Sequence, residues 1–115
     1  YKSFQEMAMA KRDYGADTQK MAGNEQIAEE VAKNANGIGY VGLAYTDKDG
    51  IKPVAVEGVE LKPENAKDYA IARSLHYYTI DGKLSEAATK FLTWATSDER
   101  AAEVVSRVGF IPVGE

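Results

Sequence analysis

The sequence contains no cysteine and a single histidine, His76, among its 115 residues. The absence of cysteine excludes disulfides, thiolate nucleophiles and cysteine-ligated metal sites. A lone histidine has no second imidazole or thiolate with which to share a metal ion, so we interpret His76 as a packed or surface residue. The sequence therefore predicts no metal site and no cofactor.

Positive charge and long apolar runs are also lacking. Lysine and arginine number 14 against 18 acidic residues, and the net charge of −4 argues against nucleic acid as a partner. No apolar run approaches the roughly 18 residues that a membrane-spanning helix needs. The first residue, Tyr1, is not Met and reads as part of a first helical turn, so we expect the chain to belong to a longer protein.

None of the candidate motifs for metal binding, acid–base catalysis or dinucleotide binding has the residue spacing that its chemistry requires. An Asp-x-Asp-Gly stretch at 47–50 resembles a calcium loop, but the position that needs a glutamate is Gly58. The carboxylate pairs Glu29-Glu30 and Asp98-Glu99 are adjacent on predicted helices, so their side chains point about 100° apart. The glycines near position 40 lack the spacing of a dinucleotide fingerprint. The sequence therefore predicts a protein that is not an enzyme.

Four segments carry apolar residues at helical spacing and are predicted helices: 2–12, 24–35, 85–95 and 96–109. Asn24 and Ser85 are predicted N-caps, because their side-chain oxygens can accept hydrogen bonds from free amides of the first turn. Thr96 followed by Glu99 is the pattern of a capping box for the last helix.

Three further segments are predicted strands: 38–45, 52–57 and 69–79. The first is apolar, and its glycines, Gly39 and Gly42, indicate a bulge or a close approach of backbone or ligand. The last alternates, with Ile71, Arg73 and Leu75 on one face. Helices and strands together predict an α/β domain.

Five local patterns, in order, resemble the C-terminal portion of the solute-binding proteins of phosphate-type ABC importers. They are the helix containing Phe4, Gly23-Asn24 opening a helix, Gly37 to Val41, Pro63-Glu64-Asn65 before the alternating strand, and two helices ending in Gly109 to Val113. The five patterns cover nearly all of the chain.

This resemblance implies a periplasmic-binding-protein-like (type II) lobe of helices packed on a short mixed sheet. It also implies reversible binding of phosphate or a similar oxyanion between two lobes, for delivery to the membrane permease of an ABC importer. The parent would be periplasmic or extracellular and membrane-associated. The alternative is a non-catalytic interaction or sensory module built on the same fold.

The resemblance places residues 1 to about 45 in the second lobe and about 69 to 115 in the first. In the family, a Ser-Gly-Thr turn that binds the anion would fall just before Tyr1. Half of each lobe would leave apolar faces exposed, which favours a homodimer or domain-swapped pairing.

Four residues remain as candidate ligand contacts: Tyr1, Lys2, Asn24 and Arg73. Tyr1 and Lys2 would lie at a helix N-terminus, where free amides and the helix dipole favour anions. For Asn24 the alternative is a simple helix cap. For Arg73 the alternative is a structural salt bridge at the edge of a lobe.

Overall fold

The computed structural model describes residues 1–113. The chain divides into two units, Tyr1–Arg73 and Ser74–Glu115. The first unit holds helices α1 (Lys2–Ala8) and α2 (Asn24–Lys33) and two 3₁₀ turns, Leu43–Tyr45 and Pro63–Asn65, and the second holds helices α3 (Glu86–Ser97) and α4 (Glu99–Arg107). Within residues 1–113, no helix combines the length and the apolar character needed to cross a membrane.

All four predicted helices are present, with shifted ends. Helix α1 stops at Ala8 rather than at residue 12, because Ala10 and Lys11 adopt positive φ angles of 50° and 62° that end the helix. Helix α2 has Gly23 as its N-cap, so the prediction that Asn24 caps this helix is wrong. The apolar face of α2 buries Ala28, which is 3% exposed.

Residues 38–42 pass close to α2 at a glycine. A Cβ on Gly39 would lie 2.6 Å from Cγ2 of Ile27 and 3.1 Å from Cγ2 of Val31. Only a residue without a side chain permits this approach, which confirms the prediction that a glycine here marks a close contact of the backbone. The contact attaches the chain that follows α2 to the apolar face of that helix.

The second unit is built on two helices that pack together. Ser85 caps α3 as predicted, and its hydroxyl oxygen accepts from the amide of Ala88 at 3.1 Å. The predicted capping box is wrong, because α3 continues through Thr96 to Ser97. The cap of α4 is Asp98, whose carboxylate accepts from the amide of Arg100 at 2.9 Å and from its guanidinium at 3.1 Å.

The three predicted strands are not formed within residues 1–113. Segment 38–45 is irregular and ends in a 3₁₀ turn, segment 52–57 contributes only the isolated bridge between Val56 and Val59, and segment 69–79 begins with a turn and continues without regular structure. A strand needs a neighbouring strand for its N–H and C=O groups, and the described residues supply none. The predicted short mixed sheet is therefore not confirmed.

Replacing Gly39 by alanine is expected to destabilise the first unit by about 1–3 kcal/mol, because the new methyl group overlaps Ile27. Gly42→Ala is the matched control, since a Cβ there would lie 3.7 Å from Tyr45, an ordinary contact distance. Urea denaturation followed by circular dichroism measures both variants. Equal stability of the two variants would contradict the close contact at position 39.

The Asp98 cap is expected to make α4 sensitive to acid. Hydrogen bonds from the Arg100 guanidinium and amide lower the pKa of Asp98 below its ordinary value. Its contribution to stability is therefore present above the ordinary value and is lost as the pH falls through the lowered pKa.

The control variant is Asp98→Asn, which keeps an acceptor oxygen but carries no charge. We expect the native protein to be the more stable of the two near neutral pH and the difference to disappear in acid, as measured by thermal unfolding. A difference that is independent of pH would show that the charge of Asp98 does not contribute.

Candidate functional site

Four aromatic side chains of the first unit stack into one cluster, the aromatic cluster of Tyr1, Phe4, Tyr14 and Tyr40. The ring of Phe4 lies nearly parallel to that of Tyr40, with centroids 4.2 Å apart. The ring of Tyr1 stacks on Tyr14 at 4.4 Å. The cluster joins the first helix to residue 40, across a long separation in sequence, and so fixes the start of the chain against the segment that follows α2.

The hydroxyl groups in the cluster are ordered by a short chain of hydrogen bonds. The Tyr14 hydroxyl donates to the carbonyl oxygen of Tyr1 at 2.8 Å. The same hydroxyl lies 3.3 Å from the hydroxyl oxygen of Tyr40, so its one proton is shared between the Tyr1 carbonyl and the Tyr40 oxygen. The pKa of Tyr14 is raised to about 12, chiefly because partial burial disfavours the phenolate and secondly because of the hydrogen bond with the Tyr40 hydroxyl.

Tyr1 and Lys2 lie at the start of α1, as the sequence predicts. Tyr1 is the N-cap residue and is 54% exposed, and Lys2 is exposed as well. The ammonium of Lys20 lies 4.8 Å from the centroid of the Tyr1 ring, which is the distance of a cation–π contact. The Tyr1 ring is thus engaged by Tyr14 and Lys20.

Asn24 fixes a loop instead of capping a helix. Its side-chain oxygen accepts a hydrogen bond from the backbone amide of Gly42 at 3.2 Å. Because Gly42 is two residues from Tyr40, this bond and the aromatic cluster hold the same stretch of backbone. Asn24 therefore has a structural role in the first unit.

Arg73 is the last residue of the first unit, and its side chain is exposed. Within residues 1–113 no ion pair involves Arg73, so the predicted salt bridge is absent from this part of the chain. The predicted neighbours on its strand face do not form a face, since no strand is present there. Arg73 is thus a free guanidinium, within the described residues, at the boundary of the two units.

The structure joins two of the four predicted ligand residues through one segment. Tyr1 and Asn24 are both connected to residues 40–42, by the aromatic cluster and by the Gly42 amide respectively. No hydrogen bond or ion pair in residues 1–113 connects Lys2 or Arg73 to that segment.

Neither a surface cleft nor a group of metal-binding side chains extends this candidate site within the described residues. An open cleft of about 360 Å³ lies on α3 and includes Trp94 and Asp98, and none of the four predicted residues lines it. Across residues 1–113, no group of three or more acidic or histidine side chains is placed to hold a metal ion.

Comparison with known proteins gives related sequences along nearly all of the chain. A phosphate-binding protein PstS of Pseudomonas aeruginosa is 27% identical over 98% of this chain and 38% of its own length. PstS of Staphylococcus epidermidis is 30% identical over 90% of the chain and 35% of its length. PstS of Bacillus subtilis is 28% identical over 76% of the chain and 29% of its length.

This chain is similar to part of the PstS phosphate-binding proteins. It spans about a third of the length of these relatives. No family model matches the chain, and no solved structure matches it. The predicted resemblance to phosphate-type solute-binding proteins is confirmed, and PstS relatives imply the periplasmic-binding-protein fold at the level of the family.

Sequence reasoning missed the role of Tyr14 and Tyr40. The available signal was composition, because seven tyrosines accompany only three phenylalanines. Tyrosine combines a stacking ring with a hydroxyl that needs a partner when it is covered, and the cluster uses both properties. Neither periodicity nor a motif relates Tyr14 to Tyr40, because their contact depends on how the loop between α1 and α2 folds.

We expect the phenol of Tyr14 to ionise late, near pH 12, in an alkaline titration followed by tyrosinate absorbance. Tyr14→Phe should remove this late phase, whereas Tyr78→Phe, at a side chain that is 90% exposed, should leave it in place.

The raised pKa of Tyr14 also makes the stability of the fold depend on pH. The contribution of Tyr14 is fully present below its ordinary pKa of 10 and is lost as the pH rises through about 12. Persistence of the late phase in Tyr14→Phe would contradict the hydroxyl arrangement described here.

Proposed function

We propose that this chain is part of a protein that reversibly binds phosphate, or a similar oxyanion, for delivery to the permease of an ABC importer. The observation that carries the proposal is the similarity to PstS proteins over 98% of the chain. The mechanism is capture of the anion by amide and hydroxyl donors between two lobes, followed by closure about a hinge. No covalent step is involved, and the protein is proposed not to be an enzyme.

The proposed location of the parent protein is the periplasm or the extracellular side, in association with the membrane that holds the permease. The names of the relatives support a binding protein and do not favour the alternative, an interaction or sensory module. The predicted homodimer or domain-swapped pairing gains no support from the relatives.

We also propose that the two units belong to different lobes, with residues 1 to about 45 in the second lobe and about 69 to 115 in the first. The division of the chain after Arg73 supports this assignment. Residues 114 and 115 lie outside the described residues. Arg73, whose guanidinium is exposed and makes no ion pair within the described residues, is a candidate to contact the anion, together with Tyr1, Lys2 and Asn24.

The proposal is tested in a chimera in which this chain replaces the matching region of PstS from Staphylococcus epidermidis. Isothermal calorimetry with inorganic phosphate at low salt is expected to show binding by the chimera, with intact PstS as the positive control. A folded chimera that does not bind phosphate would overturn the proposed function.

Arg73→Ala in the chimera is expected to weaken phosphate binding by about tenfold or more, because a hydrogen bond to a charged group contributes roughly 1.5–3 kcal/mol. Arg12→Ala is the matched control, since it removes the same charge from another exposed arginine of the first unit. Equal weakening by both variants would assign the effect to general electrostatics and not to contact with the anion.

A further inference from the structure

The hydroxyl groups of Tyr14 and Tyr40 meet inside the aromatic cluster. Their oxygens are 3.3 Å apart, although the two residues are 26 positions apart in the sequence. The ring centroids are 6.2 Å apart and the ring planes are inclined by 29°. Because the ortho carbons of a phenol lie next to the carbon that bears the oxygen, this contact also brings ring carbons of the two side chains close together.

Two phenols in this arrangement are the reactants of an oxidative coupling. A phenol that loses one electron and one proton becomes a neutral phenoxyl radical, whose unpaired electron is spread over the oxygen and the ring carbons ortho and para to it. Two such radicals join through their ortho carbons, and the hydrogen of each coupling carbon then returns to oxygen. The product, dityrosine, carries its two hydroxyls beside the new bond, as the meeting of the Tyr14 and Tyr40 hydroxyls requires.

The aromatic cluster orients both rings before any reaction. Phe4 stacks on Tyr40 with centroids 4.2 Å apart, and Tyr1 stacks on Tyr14 with centroids 4.4 Å apart. Tyr14 and Tyr40 are both half-buried. Holding two reactants in a fixed orientation raises their effective concentration, so coupling within the chain is favoured over coupling between chains.

Tyr1 is a poorer coupling partner for Tyr14, despite the shorter distance between centroids. Its ring lies over the face of Tyr14, whereas the new bond must join the edges of two rings. The Tyr14 hydroxyl contacts the backbone carbonyl of Tyr1 and not its phenol. The ammonium of Lys20 also lies 4.8 Å from the centroid of the Tyr1 ring, and a nearby positive charge makes removal of an electron harder.

Partial burial does not oppose a radical at Tyr14 as it opposes the phenolate. Burial disfavours the charged form, which is the main cause of the raised pKa of this phenol. The phenoxyl radical carries no charge and escapes that penalty. The Tyr1 carbonyl at 2.8 Å and the Tyr40 oxygen at 3.3 Å are first acceptors for the proton that oxidation releases.

The other tyrosines of residues 1–113 show no second pair of this kind. Tyr69 donates to the backbone carbonyl of Val54 at 2.9 Å. The ring of Tyr77 meets Phe91, which has no hydroxyl. Within the described part of the chain, the contact of Tyr14 with Tyr40 is the hydrogen bond that joins two phenols.

We propose that Tyr14 and Tyr40 are a site of oxidative cross-linking, at which a haem peroxidase using hydrogen peroxide joins the two rings as dityrosine. The two phenols together lose two hydrogen atoms, and one hydrogen peroxide is reduced to two water molecules. The bond connects the loop after α1 to the segment after α2 and encloses α2. It restricts the unfolded chain as a disulfide does, in a sequence without cysteine, and so stabilises the first unit. This modification is separate from the proposed binding of phosphate and does not depend on it.

The test is treatment of the chain with a haem peroxidase and hydrogen peroxide, at a protein concentration low enough to suppress encounters between copies. We expect dityrosine fluorescence in the monomer fraction. Mass spectrometry should find the tryptic peptides 13–20 and 34–48 joined, with two hydrogen atoms fewer than their sum. In urea, where unfolding separates the rings, the yield should fall by at least about tenfold.

Phenylalanine variants assign the reaction to individual phenols. Tyr14→Phe and Tyr40→Phe keep the stacked rings, and each should lower the yield of dityrosine within the chain by at least about tenfold. Tyr45→Phe is the matched control, because Tyr45 lies on the same tryptic peptide as Tyr40, and it should leave the yield unchanged.

Two results would overturn the proposal. One is a yield in Tyr14→Phe that equals that of the native chain, or a loss of the product in Tyr45→Phe. The other is dityrosine found only between copies of the chain, which would assign the reaction to exposed tyrosines such as Tyr78. The thermal midpoint of the cross-linked monomer should exceed that of the untreated chain by at least about 5 °C, and an unchanged midpoint would contradict the stabilising effect.

Discussion

The structure of this chain depends on which backbone hydrogen bonds its own residues can complete. A helix pairs its N–H and C=O groups within a single segment, so α2, α3 and α4 form from local sequence, each with an apolar face. A strand has no such option, because its partner lies elsewhere in the chain or in another chain. The only ladder contact among the described residues is the bridge between Val56 and Val59, closed by a turn in which Glu57 and Gly58 both have positive φ.

This constraint also explains why little of the chain is buried. Among residues 1–113 the buried apolar positions are two alanines, Ala28 on α2 and Ala101 on α4. Both lie on helices, and the larger apolar side chains of the described residues remain partly in water. Without a sheet to pack on, a helix covers only what its adjacent turn or helix can reach. The stacked rings of the aromatic cluster act as the substitute for a core in the first unit.

The proposed binding function places different demands on the two units. In the first, the segment 40–42 is held from two sides, by the Phe4–Tyr40 stack and by the Asn24 side chain. Such double attachment is suited to presenting backbone amides at a fixed position. In the second, α3 and α4 pack against each other, while the backbone groups of residues 74–79 make no hydrogen bond within the described chain.

The sequence by itself determined the presence of the four helices and, through the absence of cysteine, the absence of thiol chemistry. The approximate positions of the helices could be predicted because apolar spacing and caps such as Ser85 act within a few residues. The order of the local patterns indicated the phosphate-binding relatives. Gly39 was marked as a close approach, but its partners Ile27 and Val31 were not. The predicted strands failed because alternation specifies only a preference for pairing, whereas pairing requires a second segment. Only the tertiary structure decided the Tyr14–Tyr40 contact and the bond from Gly42 to Asn24, since each joins residues far apart in sequence.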